Sequence, residues 1–229
     1  MWDIIIFLFS GCANKLIRPI YNVVKNTIIP DCVPNDPNDY DVVIRPMKIE
    51  DCNNISLLAN NVLGKGHGIL PRTIQSWTAI NSTIFTVAEC INSKTKEKNI
   101  CGYYSLVPIT KYTINELKQG RIQDFSIRDD EILSWDDSEL TEIYIMDVIT
   151  TNSISCIFKK CHTIVGHMLL RHMISHIKHI TQNNRNISKI FTITATKKGE
   201  YIATKRGFCN VSGYSSPFGW KLWERPTIN

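Results

Sequence analysis

Ile143 to Arg171 reads IYIMDVITTNSISCIFKKCHTIVGHMLLR. Ile143–Thr150 is apolar or β-branched except at Tyr144 and Asp147, the pattern of a buried strand. Thr151–Lys160 is an irregular connection. From Val165 the apolar residues return at helical spacing. Leu169, Met173, Ile177 and Ile180 share one face, which predicts a helix over 165–180. Cys161–Gly166 is the turn that opens onto it. A helix start presents unpaired N–H groups and the positive end of the dipole, so a strand, a turn and a long helix together frame a site for an anion.

The surrounding elements can be read outward from this unit. Val42–Arg45 predicts a short strand, and Asp51 an N-cap for a helix carrying Ile55, Leu58, Ala59 and Val62. The glycines of Gly64–Gly68 end that helix, and a second helix follows Pro71, around Ile74–Ala79. Ile84–Glu89 and Ile100–Ile109, joined by the polar stretch Asn92–Asn99, read as an antiparallel hairpin. Thr113–Glu116 has the form of a capping box, with Gly120 as the helix stop. Asp124–Glu142 is irregular and acidic. Beyond the central unit lie a strand at Lys189–Thr196, a short helix at Glu200–Arg206, a Gly207-Phe208 turn, and strands near Asn210–Tyr214 and Trp220–Glu224.

The chain has 229 residues, 43% hydrophobic and 21% charged, enough for one domain with an appendage. Its formal charge of +5 comes from scattered Lys and Arg, not a dense basic block, so no nucleic-acid partner is indicated. Eight evenly spread cysteines without a CxxC pair read as reduced thiols of a cytoplasmic protein. Residues 1–40 stand apart. Ile4–Phe9 is too short an apolar run to span a bilayer, and Pro30, Pro34 and Pro37 mark a linker. The division is therefore a hydrophobic helical extension with its linker, 1–40, and a main domain, 41–229. Residues 2–29 either pack on their own domain or dock on a protein partner, a second copy or a membrane surface.

VVIRPMKIEDCNNISLLA, NICGYYSLVPIT, IYIMDVIT, GHMLLRHMI and IFTITATKKGEYIATKRGF occur in an order and spacing similar to the GCN5-related N-acetyltransferase (GNAT) family, over about 41–225. The resemblance implies an α/β fold with a mixed, mostly antiparallel sheet flanked by helices and a splay between the fourth and fifth strands. It implies acetyl-CoA as acyl donor and a primary amine, on a small molecule or a peptide, as acceptor. The pantetheine amides would pair with the backbone of Val148, Ile149 and Thr150, and the pyrophosphate would sit on Cys161, Thr163, Ile164, Val165, Gly166 and His167. The family writes that turn Gln/Arg-x-x-Gly-x-Gly/Ala. Here Cys161 and Ile164 replace the first and second signature residues, and only Gly166 is kept.

For catalysis the resemblance points to a carboxylate base in or beside the fourth strand. Asp147 and Glu142 are the candidates, and the plain alternatives are a strand-end carboxylate and a solvated loop charge. The tyrosine that often serves as acid aligns with Ala203, and Tyr201 lies two residues away. The acidic run before the fourth strand suggests a cationic acceptor. His172, His176 and His179 share a helical stripe, but no HExxH glutamate accompanies them and no metal is assigned. A catalytically degenerate relative of the fold, acting as an interaction or regulatory module through its N-terminal arm, is the alternative function.

Overall fold

The computed structural model describes residues 40–63, 68–150, 161–194, 197–214 and 219–227, with the backbone alone at 161–164 and 198. The expected N-terminal extension, Gly64–His67 and the connection Thr151–Lys160 lie outside the described residues. Seven strands form one sheet: β1 (Tyr40–Pro46), β2 (Phe85–Asn92), β3 (Lys98–Pro108), β4 (Glu142–Thr150), β5 (Lys189–Thr194), β6 (Cys209–Asn210) and β7 (Lys221–Pro226), in the order β1-β2-β3-β4-β5-β7-β6. All pairs are antiparallel except β4–β5. The helices are α1 (Cys52–Leu63), α2 (Pro71–Ile80), α3 (Lys111–Lys118), α4 (Cys161–Asn183) and α5 (Lys197–Lys205). Among the described residues no helix is long and apolar enough to cross a membrane.

The central strands are buried on both faces, which is why they read as nearly continuous apolar runs. Tyr103, Tyr144, Met146 and Ile149 join Ile55, Leu58, Ile74 and Trp77 in one core under α1 and α2. Tyr104, Ile143, Ile145 and Val148 join Leu169, Met173, Ile177 and Ile180 of α4 in the other. Gly102 permits the close stacking of β3, β4 and α4. A Cβ there would stand 2.7 Å from the Ile149 carbonyl oxygen and 2.9 Å from Leu169 Cδ1.

Several local expectations are corrected. Asp51 does not cap α1. It ends a 3-10 turn, Ile49–Asp51, where its carboxylate accepts the Lys48 N–H at 2.8 Å and pairs with Arg45 at 2.7 Å. Arg45 also holds Glu89 at 2.7 Å, tying β1 to β2. The cap of α3 is Thr110, which accepts the Thr113 N–H at 3.2 Å, so the helix starts earlier than the Thr113–Glu116 box suggested. Helix α4 begins at Cys161, not Val165, and runs past Ile180 to Asn183. Strand β6 is confined to Cys209–Asn210 and does not extend to Tyr214. Cys90 and Cys101 form a disulfide, so the expectation of eight reduced thiols fails. A register shift at Ala88/Glu89 brings the two Cα atoms to 6.1 Å across β2 and β3, within disulfide reach.

Candidate active site

Strand β4 parts from β5 where its own regularity breaks. The parallel pairing runs from Glu142↔Lys189 to Ile145↔Thr192 and stops. On the opposite edge, Ser105 faces Asp147 and Leu106 faces Ile145, so Met146 is an extra residue, a β-bulge. A bulge increases local twist, which turns the rest of β4 away from β5. The Thr192 hydroxyl donates to the Ile145 carbonyl at 2.9 Å and closes the last shared rung. Beyond it Val148, Ile149 and Thr150 pair with Tyr104, Tyr103 and Gly102 of β3, while β5 continues against β7. The other edge of this β4 segment is thus turned toward the opening, where an extended ligand can add like a strand.

Asp147 stands at the first position past the bulge, 1% exposed. The Tyr103 hydroxyl donates to its Oδ2 at 3.1 Å, and its backbone N–H donates to Ser105 Oγ at 3.1 Å. Oδ1 is buried with no hydrogen-bond partner among the described residues. Burial, with the nearby Asp124 carboxylate adding to it, lifts the Asp147 pKa to about 7, although the Tyr103 bond pulls the other way. Asp124 is itself buried on the short turn Asp124–Ser126 and accepts the Phe125 N–H at 3.0 Å. Its carboxylate also faces the hydroxyl of buried Tyr144, and both Tyr103 and Tyr144 are held neutral well above the usual tyrosine range, chiefly by burial. Asp147 therefore keeps its proton up to near-neutral pH.

The other catalytic candidates lie elsewhere. Glu142 begins β4, five residues or about 17 Å from Asp147 along the strand. It is bound at 2.5 Å by Lys118, which also holds Glu224 at 2.5 Å and lies over the Phe191 ring. Tyr201 is 61% exposed, with Lys205 Nζ 5.6 Å from its ring centroid. Ala203 is buried and lines an apolar cleft between α4, β5 and α5.

The start of α4 sets where an anion could be held. With Cys161 as the first helical residue, the free N–H groups belong to the first turn, Cys161, His162, Thr163 and Ile164. Val165, Gly166 and His167 fall in the second turn, where N–H groups bond within the helix. Val165 and Gly166 are buried and His167 is exposed. The acidic segment before β4 is not at this end. Asn184, just past α4, donates to the carbonyls of Trp135 and Asp137 at 3.0 Å each, and Asn186 to that of Ser138. Asp136, Asp137 and Glu139 therefore lie near the end of α4, about 33 Å along the helix from its first turn.

The histidine stripe has a partner that helical spacing could not reveal. The Tyr104 hydroxyl lies 2.9 Å from His172 Nδ1 and 3.0 Å from His176 Nδ1, and Trp135 packs edge-on against His176. Burial, with His172 and His179 adding to it, depresses the His176 pKa to about 4. No cluster of three or more His, Cys, Asp or Glu side chains suited to a metal exists among the described residues.

No protein-family model matches the sequence, and no curated protein matches it. Solved structures do match. The GNAT-like decarboxylase GphF, in complex with isobutyryl-CoA, has a TM-score of 0.55 at 9% identity, covering 80% of this chain and 98% of that one. The loading GNATL domain of CurA from Lyngbya majuscula has a TM-score of 0.54 at 11% identity, covering 81% and 98%. Ard1 from Thermoplasma volcanium has a TM-score of 0.50 at 15% identity, covering 82% and 99%. At such identities the likeness speaks for the fold alone. Sheet order, the single parallel pair, its early end at Ile145 and these likenesses agree that the chain has the GCN5-related N-acetyltransferase fold.

Proposed function

We propose that the protein is an N-acyltransferase that moves an acetyl group from acetyl-CoA to a primary amine on a small molecule or a peptide. The observation that carries this reading is a coincidence at one place. The β4–β5 pairing ends, the Met146 bulge occurs, and a buried carboxyl with a pKa of about 7 follows at Asp147.

The residues fit the donor in both of its parts. The β4 edge at Val148, Ile149 and Thr150 would receive the pantetheine amides, and the first-turn N–H groups of α4 would receive the pyrophosphate through backbone alone, which needs no particular side chain. Bound there, acetyl-CoA supplies an activated thioester. Before attack the ammonium must lose a proton, and Oδ1 of Asp147 is the free oxygen that would accept it. Tyr103 fixes the carboxyl through Oδ2, and burial, with Asp124 beside it, keeps the pKa high enough to take a proton near pH 7. With Ala203 at the usual acid position and Tyr201 turned to solvent, the thiolate leaves without a protein acid on α5.

Acetyl-CoA should raise the melting temperature, and thiol release with an amine panel should depend on Asp147. A glycine-poor first turn on α4 favours a second reading, a non-catalytic module of the same fold. No thermal shift at millimolar acetyl-CoA would select it.

A further inference from the structure

Two arginines line the groove between α4 and α5, and a third lies in the apolar cleft that adjoins it. Arg171 of α4 and Arg206, one residue past α5, line an open groove of about 480 Å³ with His167, Met168 and Ile174. Ile174 and Arg206 also border the apolar cleft, whose wall includes Phe208 and Arg225 of β7. The Arg225 guanidinium lies over the Phe208 ring at 5.4 Å and donates from Nη1 to the Arg206 carbonyl at 3.0 Å. Its Nε is buried with no hydrogen-bond partner among the described residues. Burial, and then Arg206, press against its charged form.

None of the three has an ion-pair partner among the described residues. The acids nearest in sequence are already engaged: Glu200 by Lys197 and Lys221, and Glu224 by Lys118 and Lys189. The partly buried Arg225 guanidinium loses water without gaining a counter-charge, which is costly to the fold, and Arg206 beside it adds repulsion. An anion relieves both costs, and the planar guanidinium fork suits phosphate oxygens.

We infer that Arg171, Arg206 and Arg225 form a phosphate-binding site in the α4–α5 groove, distinct from the start of α4. Arg171 is ten residues into the helix, about 15 Å from its first turn, so one diphosphate cannot occupy both places. On the acyl-CoA reading, the phosphate is the monoester on the ribose of the coenzyme. A free phosphate ligand has the same chemistry.

The test compares the full-length protein with the double variant Arg171→Gln/Arg206→Gln. Both side chains are exposed, so the variant should keep its unliganded melting temperature. Titration calorimetry with CoA and with dephospho-CoA should give about tenfold tighter binding of CoA to the wild type. The variant should lose that advantage and bind dephospho-CoA as before. If the two coenzymes bind alike, but inorganic phosphate stabilises the wild type and not the variant, the site stands with a free phosphate as its ligand. If neither coenzyme binds, the acyl-CoA reading fails and the phosphate arm alone decides the site. Equal responses of the two proteins to every ligand overturn it.

Discussion

Replacing Asp147 by Asn should make the protein more stable and less active, with a pH dependence that identifies the cause. The folded pKa of Asp147 is about 7, against an ordinary value of 3.8. Between those values the unfolded chain releases a proton that the folded chain keeps, so stability falls as pH rises and is lowest above pH 7. The interval spans about three pH units at about 1.4 kcal/mol each, so ionised Asp147 costs the fold about 4 kcal/mol at pH 8. The Asn amide leaves a buried N–H₂ where Oδ1 has no partner, which takes back about 1 to 2 kcal/mol. The net gain at pH 8 is then about 2 to 3 kcal/mol, or about 5 to 10 °C in melting temperature for a chain of this size. Below pH 4 the gain should vanish or reverse, because Asp147 is protonated in both states. Urea unfolding at pH 4, 6 and 8 measures this, and thiol release from acetyl-CoA measures activity. A variant no more stable at pH 8 than at pH 4, relative to wild type, would refute the buried-acid account. A variant that is stabilised and fully active would leave that account standing and remove Asp147 as the base.

His176 should act in the opposite direction on the acid side. Its folded pKa of about 4 lies below the ordinary 6.5, so stability should be lost as pH falls from 6.5 to 4, by about 2 kcal/mol once screening of a partly exposed ring is allowed for. His176→Gln should flatten that limb in the Asp147→Asn background, where the opposing slope is gone; an unchanged limb would exclude His176 as its source. Gly102→Ala should cost about 1 to 3 kcal/mol, because its Cβ would meet the Ile149 carbonyl at 2.7 Å, and chemical denaturation should show it. Lys118→Met should cost about 2 kcal/mol by leaving Glu142 and Glu224 without their shared cation, and the loss should shrink in a Glu142→Gln/Glu224→Gln background. A loss equal in both backgrounds would point to packing on Phe191 instead.

Much of the scaffold was legible because it is written in local periodicity. The nearly continuous apolar run of β4, the Leu169–Ile180 stripe on α4 and the hairpin of β2 and β3 each follow from side chains a few residues apart. Helix starts were less legible. Thr110 and Thr113 are both fair caps, and tertiary contact with the β3 end decides between them. A turn read at Cys161–Gly166 became helix because no proline or glycine pair forbids it.

The sequence by itself determined the order of strands and helices, the apolar faces that make two cores, and the presence of an acidic residue in β4. Only the tertiary structure decided what that residue is. Asp147 became a proton-holding acid because the fold buries it beside Asp124, 23 positions away, with the bond from Tyr103, 44 positions away, only partly offsetting that. The same holds for Tyr104 between two histidines, Cys90 bonded to Cys101, and the arginines of the α4–α5 groove. Periodicity reports which face of an element is buried. It does not report which polar group from another element meets it there, and that meeting sets pKa, charge balance and chemistry.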